Sequence, residues 1–195
     1  MHKKILIIFC SFSLFLTPLA AEQSSQRLKI SADAFKIEFF DPTAATISTA
    51  LTYTTLALPG LLLLEDQDSP WALPIAYGTA IGTTYLLKST LKLLIDKRRP
   101  QPYIDTFGID DDDVFDSFPS GHTALSFAAA AFTAVAYAKD HSESSVALVV
   151  PAISLALSSM SGTLRYTSGS HYPIDIFAGV LIGAVTGGLC AYLLY

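Results

Sequence analysis

Residues 176–195 read IFAGVLIGAVTGGLCAYLLY, a stretch without a charged side chain. A helix needs about 20 mostly apolar residues to cross the hydrocarbon core of a bilayer, so this stretch predicts a membrane-spanning helix. Gly179, Gly183 and Gly187 recur at every fourth position and share one face of such a helix. Small residues at this spacing let helices approach closely, and packing within a helical bundle is favoured over dimerisation.

Four further uncharged stretches precede this one, at residues 43–64, 71–87, 123–138 and 144–164. The chain is 51% hydrophobic and only 15% charged, which is too apolar for an ordinary soluble domain. Backbone groups in lipid must bond within their own segment. We therefore expect an all-α, membrane-embedded bundle of about five transmembrane helices; the alternative is a soluble helical domain with very hydrophobic core helices.

The N-terminus has the pattern of a secretory signal. A basic start at residues 2–4 precedes an apolar stretch at 5–16 and small residues at 18–21. Residues 1–21 are thus predicted to be a signal peptide; the alternative is an uncleaved first membrane helix, which would give six spans. Residues 22–42 are expected to form an extracytoplasmic lead-in, with an amphipathic stretch on the membrane surface as the alternative, and residues 43–195 are expected to form the domain itself.

Charge and helix count bear on partners and orientation. The net charge of −5 argues against nucleic acid as a partner, and a membrane is expected instead. Counting helices from an exported N-terminus places segments 88–122 and 165–175 on the outer face. Inner loops of membrane proteins usually carry an excess of Lys and Arg, and this rule does not support the orientation. The inner loops contain only Lys139, whereas the outer loop contains the three basic residues at 97–99.

Three short clusters of polar residues lie at the ends of these apolar stretches. The first combines Lys92 with Arg99-Pro100. A continuing helix would place both cations on one face, but Pro100 disfavours helix at Arg99, so the guanidinium is expected at the helix mouth. Arginine offers a planar fork and lysine a point charge to phosphate oxygens; alone, the pair could also be interfacial cations.

The second cluster is Pro119-Ser120-Gly121-His122, directly before an apolar stretch. Ser120 is a natural helix N-cap, and Gly121 leaves backbone N–H groups open to an anion. His122 then lies in the first helical turn. A simple cap with an incidental histidine is the alternative.

The third cluster joins Arg165 to His171 and Asp175 across the last loop. Pro173 suits a first helical position, so Asp175 lies one turn in, within reach of His171. A carboxylate bonded to one ring nitrogen leaves the other as a nucleophile. The alternative is that Asp175 acts only as a favourable charge at the helix start.

Together the clusters predict a phosphoryl-transfer site. One histidine would attack phosphorus and the other would protonate the leaving oxygen, while cations and backbone amides hold the charge on the phosphoryl oxygens. No metal or other cofactor is expected. The acidic residues at 110–113 lack the ligand spacing of a calcium loop.

The pattern Lys-x6-Arg-Pro, Pro-Ser-Gly-His and Arg-x5-His-x3-Asp resembles the type 2 phosphatidic acid phosphatase superfamily, which also includes bacterial non-specific acid phosphatases and vanadium haloperoxidases. The resemblance covers roughly residues 43–195. It implies that His171 is the nucleophile that forms a phosphohistidine, that Asp175 orients it and that His122 is the general acid. The implied phosphate-binding residues are Lys92, Arg99, Ser120, Gly121 and Arg165.

One departure concerns Leu164, where the family usually has serine; it bears on a supporting hydrogen bond and not on the core mechanism. The expected function is a metal-independent phosphatase acting on a lipid phosphate or pyrophosphate at the outer face of a bacterial inner membrane. Alternatives are an acid phosphatase for small soluble monoesters, a haloperoxidase, and a non-enzymatic membrane protein. The sequence does not identify the lipid.

Overall fold

The computed structural model describes residues 28–29, 37–64, 71–107, 114–140 and 148–195. The predicted signal at 1–21 and most of the lead-in at 22–42 lie outside these residues. Within the described residues the fold is mostly helical, as predicted. Five long helices carry it: α1 (Pro42–Ala57), α2 (Ala72–Leu94), α4 (Gly121–Asp140), α5 (Val149–Thr167) and α6 (Pro173–Leu194), with a short helix α3 (Gln101–Phe107) between α2 and α4.

Each predicted apolar stretch coincides with one of the long helices, but their ends differ from the stretches. The first stretch divides, because α1 gives way to a 3-10 helix at Leu58–Leu64. Pro59 lacks the N–H that would continue the α-helical bonding. The second stretch extends beyond its uncharged residues, since α2 continues through Lys88 and Lys92 to Leu94.

Helix α4 lies at the centre and contacts α1, α2, α5 and α6. The glycine stripe of α6 faces it. A Cβ atom on Gly183 would lie 2.2 Å from the backbone oxygen of Ala124, and one on Gly187 would lie 2.1 Å from that of Ala128. The predicted packing of this stripe within the bundle is confirmed, because only glycine permits so close an approach of two helices.

The bundle buries small and hydroxyl-bearing residues and exposes large apolar ones. In α6, Gly179, Gly183 and Ala191 are buried, whereas Phe177 and Leu181 are 59% and 50% exposed. Buried hydroxyls bond across helices, as Ser48 of α1 does to the Ser161 carbonyl of α5 at 3.0 Å and Thr84 of α2 does to Thr186 of α6 at 2.6 Å. Aliphatic side chains therefore face outward along much of the surface.

One helix in the described part of the chain, Pro173–Leu194, is long and apolar enough by length and composition to cross a membrane. The bundle of five membrane spans is therefore not confirmed and stays a prediction. A core of buried apolar side chains, which includes Leu73, Phe132 and Ala191, lies toward the start of α2 and the ends of α4 and α6. The opposite end of the bundle is polar.

Short extended segments bind that polar end together. Strand β1 (Leu28–Lys29) pairs in parallel with β2 (Ile95–Asp96), which directly follows α2. The backbone of the next residue, Lys97, forms an isolated parallel β-bridge with Asp116. At residues 37–41 the chain passes over the loop between α5 and α6, where the Asp41 N–H donates to the Ser168 carbonyl at 2.9 Å.

Candidate active site

The start of α4 presents the second cluster at the polar end of the bundle. Ser120 precedes the first helical residue, Gly121, and His122 lies in the first turn, as predicted. The Ser120 hydroxyl bonds to that of Thr123 at 2.9 Å. Its backbone N–H donates to the carbonyl of Asp175 at 3.0 Å, so the second and third clusters are joined through the backbone.

A tight turn between α5 and α6 holds His171. The N–H groups of Ser170 and His171 both donate to the Arg165 carbonyl at 3.1 Å. Gly169 adopts a φ of +78°, and a Cβ atom there would lie 2.2 Å from the backbone oxygen of Phe39. Glycine is required at this position by both its conformation and the crossing chain. The turn thereby fixes His171, which is 4% exposed.

The imidazole of His171 is oriented by a backbone carbonyl. Its Nδ1 lies 2.9 Å from the carbonyl oxygen of Ser117 and 3.6 Å from Oδ2 of Asp175. A carbonyl can only accept a hydrogen bond, so Nδ1 carries the proton and Nε2 keeps its lone pair. Asp175 stands at ion-pair distance from the ring, and the direct hydrogen bond that orients the ring is made to Ser117.

Asp175 is the centre of a buried network. Its carboxylate accepts from Lys97 Nζ at 2.9 Å, from the Ser117 hydroxyl at 2.6 Å and from the Tyr172 backbone N–H at 3.0 Å. Lys97 and Asp175 are both fully buried. The last of these bonds satisfies an N–H at the start of α6, so Asp175 caps its helix as well as standing beside His171.

The first cluster reaches the site from two different elements. Lys92 lies in the last turn of α2 and donates to the backbone carbonyl of Asp116. Arg99 lies in the extended chain beyond β2, where its N–H donates to the Val114 carbonyl at 2.8 Å. Its guanidinium lies 4.8 Å from the centre of the Tyr103 ring. A helix continuing from Lys92 to Arg99 is excluded, because α2 ends at Leu94.

Arg165 and His122 share a hydroxyl oxygen supplied by α1. The Arg165 guanidinium donates to Oγ1 of Thr49, and His122 Nε2 lies 3.4 Å from the same oxygen. Thr49 donates its own proton to the Ala45 carbonyl at 3.1 Å. Arg165 Nε is buried with no hydrogen-bond partner among the described residues, and Arg165 as a whole is 7% exposed. An anion bound here would satisfy it.

The electrostatics of the site favour an anion. His122, His171 and Lys92 all lie outside the five apolar stretches. Burial, reinforced by the charge of Arg165, lowers the pKa of His122 to about 3. Burial also lowers the pKa of His171 to about 4, against the opposing effect of Asp175. Burial and the charge of Arg99 lower the pKa of Lys92 to about 8. Because both histidine pKa values lie below 7, both imidazoles are neutral at pH 7 when no anion is bound.

The site therefore brings together all eight residues singled out from the sequence. The eight residues lie in α2, in the extended chain after it, at the start of α4, in α5, in the turn that follows α5 and at the start of α6. They are Lys92, Arg99, Ser120, Gly121, His122, Arg165, His171 and Asp175. Their catalytic and phosphate-binding roles stay predictions. Within the described residues no group of three or more His, Cys, Asp or Glu side chains could hold a metal ion.

Three residues of the site were missed by the sequence reasoning. Lys97 entered the prediction only as one of the basic residues counted at 97–99, yet it is fully buried against Asp175. Ser117 contacts both His171 and Asp175. Alternation in the extended chain was a usable signal, since it puts Lys97 and Arg99 on one side and leaves Arg98 exposed. Thr49 and Ser117 carried no signal of their own.

Comparison with known proteins shows what this chain is similar to. Probable diacylglycerol pyrophosphate phosphatase 1 of Schizosaccharomyces pombe (strain 972 / ATCC 24843) is 38% identical over 88 residues, which cover 43% of this chain and 30% of that protein. The match thus spans less than a third of that relative's length. The crystal structure of Aquifex aeolicus LpxE has a TM-score of 0.51 and 24% identity, over 78% of this chain and 87% of that one.

The likeness to LpxE concerns the fold. The model of the PAP2 superfamily matches residues 73–195, from the beginning of α2 to the last residue, and this range contains all three clusters. The family predicted from their spacing is confirmed. Because the match covers more than half of the chain, the chain belongs to the PAP2 superfamily.

Proposed function

We propose that this protein is a metal-independent phosphatase that hydrolyses a lipid phosphate or pyrophosphate through a phosphohistidine intermediate. The observation that carries the proposal is the state of His171. The Ser117 carbonyl holds its Nδ1–H, so the Nε2 lone pair is directed away from that anchor. An imidazole so fixed is a pre-organised nucleophile.

The reaction would proceed in two displacements. His171 Nε2 attacks phosphorus, the bond from phosphorus to the leaving oxygen breaks, and His122 gives its proton to that oxygen. Water then attacks the phosphohistidine, His122 takes a proton from it, and phosphate leaves. Arg99, Lys92 and Arg165 hold the charge on the equatorial oxygens, where electrostatic stabilisation is usually the largest contribution.

The low pKa of unliganded His122 fits this scheme when substrate charge is included. Burial and Arg165 keep the ring neutral while the site is empty. A phosphate dianion bound to Arg165 offsets the positive charges that act on His122 and favours the protonated ring. His122 would therefore gain its catalytic proton together with the substrate.

The surface of the bundle supports a lipid environment and hence a lipid substrate. Large aliphatic and aromatic side chains face outward on α6, and burial of such an apolar surface requires a lipid or protein partner. The Schizosaccharomyces pombe relative is named as a probable phosphatase of diacylglycerol pyrophosphate, which is a lipid pyrophosphate. Counting spans from an exported N-terminus favours the outer face of a bacterial inner membrane for the site.

The test is a panel assay of the detergent-purified protein on phospholipid, polyprenyl and lipid A phosphates, and on a small soluble monoester, with EDTA present throughout. We expect phosphate release from at least one lipid, none from His171→Ala, and unchanged release from Thr54→Val, whose exposed hydroxyl bonds within α1. Substrate labelled with ³²P should leave an acid-labile label on the wild-type chain during turnover. Full activity in His171→Ala, or a strict need for a divalent ion, would refute the proposal.

A further inference from the structure

Lys88 adds a cation to the site that belongs to none of the three clusters. It lies four residues before Lys92 and therefore on the same face of α2. Its side chain runs along the start of α4: a Cβ atom on Gly121 would lie 3.4 Å from Lys88 Cδ and 3.7 Å from its Nζ. The ammonium of Lys92 is directed elsewhere, to the Asp116 carbonyl.

The charge of Lys88 is not paired with an acidic side chain among the residues that the structure describes. Its Nζ lies 4.2 Å from the centre of the Tyr85 ring. Lys97, by contrast, is neutralised by Asp175 at 2.9 Å. A half-buried, unneutralised ammonium beside a helix start is available to an anion of the substrate.

The position of Lys88 is on the side of the leaving group. In the proposed reaction His171 and His122 act on opposite sides of phosphorus, because the leaving oxygen departs in line with the attacking nitrogen. Lys88 adjoins Gly121, the residue before His122. Its charge is among those that lower the pKa of His122, and the charge of Lys92 is among those that lower the pKa of His171. The contact with Gly121 puts Lys88 at the end of the site where His122 acts.

Leaving groups differ in whether they need such a cation. A lipid monophosphate releases an alcohol, which is neutral once His122 has protonated it. A lipid diphosphate releases a phosphate monoester, which still carries negative charge after His122 has protonated the bridging oxygen. A cation placed at that position stabilises the transition state of the second reaction and has no charge to neutralise in the first.

We propose that Lys88 binds the phosphoryl group that stays with the lipid, so that this site takes lipid diphosphates in preference to lipid monophosphates. The proposal rests on the proposed phosphatase function. In the reaction, His171 Nε2 bonds to the terminal phosphorus and the bond to the bridging oxygen breaks. That oxygen takes the proton of His122, and the lipid monophosphate leaves; water then releases inorganic phosphate from His171.

The test compares a diphosphate and a monophosphate of one lipid, in neutral detergent without anionic lipid. Loss of a charge-assisted hydrogen bond in Lys88→Met should lower kcat/KM for the diphosphate about ten- to hundredfold, and that for the monophosphate less than about threefold. Lys88→Arg should keep most of the preference. Arg98→Met removes an exposed cation from the same end of the molecule and should leave the ratio of the two values unchanged.

Two outcomes would overturn the inference. An equal loss on both substrates would mean that Lys88 holds the transferred phosphoryl group or the fold. A loss that appears only when anionic lipid is added would mean that Lys88 binds a membrane headgroup. Absence of all phosphatase activity in the wild-type protein would instead refute the proposed function itself, and the two failures are thus distinguishable.

Discussion

Replacing Lys97 with methionine removes one half of an ion pair in which both side chains are fully buried. Loss of one partner of such a pair costs about 3–5 kcal/mol, because the other charge is left without compensation. Asp175 would keep its bonds from the Ser117 hydroxyl and the Tyr172 N–H, so we expect the lower value, about 3 kcal/mol. For a chain of this size that is a fall in Tm of about 6–12 °C.

The measurement is thermal unfolding of the detergent-purified variants, followed by far-UV circular dichroism. Arg98→Met is the matched control, because it removes a neighbouring but exposed cation and should change the free energy of unfolding by less than about 0.5 kcal/mol. Adding Asp175→Asn to Lys97→Met should restore part of the loss, since no uncompensated charge is then buried. Equal Tm values for the two single variants would refute the reasoning.

Thr49→Val should lower kcat/KM about tenfold, because the guanidinium and His122 lose their shared oxygen; Thr49→Ser should recover most of it, and Thr54→Val, whose hydroxyl bonds only within α1 at an exposed site, should match wild type. Gly183→Ala puts a Cβ atom 2.2 Å from an α4 backbone oxygen and should cost about 1–3 kcal/mol of stability; the same change at Gly82, which has open space, should not lower Tm. Phosphate should raise the pKa of His122 above about 3, visible in histidine NMR titrations; without ligand, stability should fall as pH drops from about 6.5 toward 3, because the unfolded chain binds the proton first. If the His122 resonance titrates at the same pH with and without phosphate, the proposed effect of bound phosphate on the His122 pKa is wrong.

The helices were predictable because absence of charge over 16 or more residues marks them regardless of what they pack against. The residues at which the helices begin and end were less predictable. Helix α2 continues past its uncharged residues because Lys88 and Lys92 line the polar end of the bundle, and α1 stops at a proline within an apolar stretch. Whether these helices span a membrane depends on the surroundings of the bundle and not on its internal contacts.

The eight site residues were predictable because they belong to three short motifs whose residue types and spacing can be read directly from the sequence. Thr49, Ser117 and Lys97 were not, since their importance arises only when separate elements meet. Thr49 is one of six threonines in α1, and nothing local distinguishes it from the other five. Ser117 acts through its backbone carbonyl on His171, a role that any residue type could perform and that no sequence pattern encodes.

Helix α1 precedes the part of the chain that the PAP2 model matches, yet it supplies the oxygen that Arg165 and His122 share. A fragment trimmed to residues 73–195 would retain every motif residue and still expose the flank of α5 where Ser48 and Thr49 now bond. The chain at 37–41, which crosses Gly169 beside His171, would be lost as well. Boundaries for expression or domain transplantation are therefore better drawn ahead of β1 than at residue 73, where the family match begins.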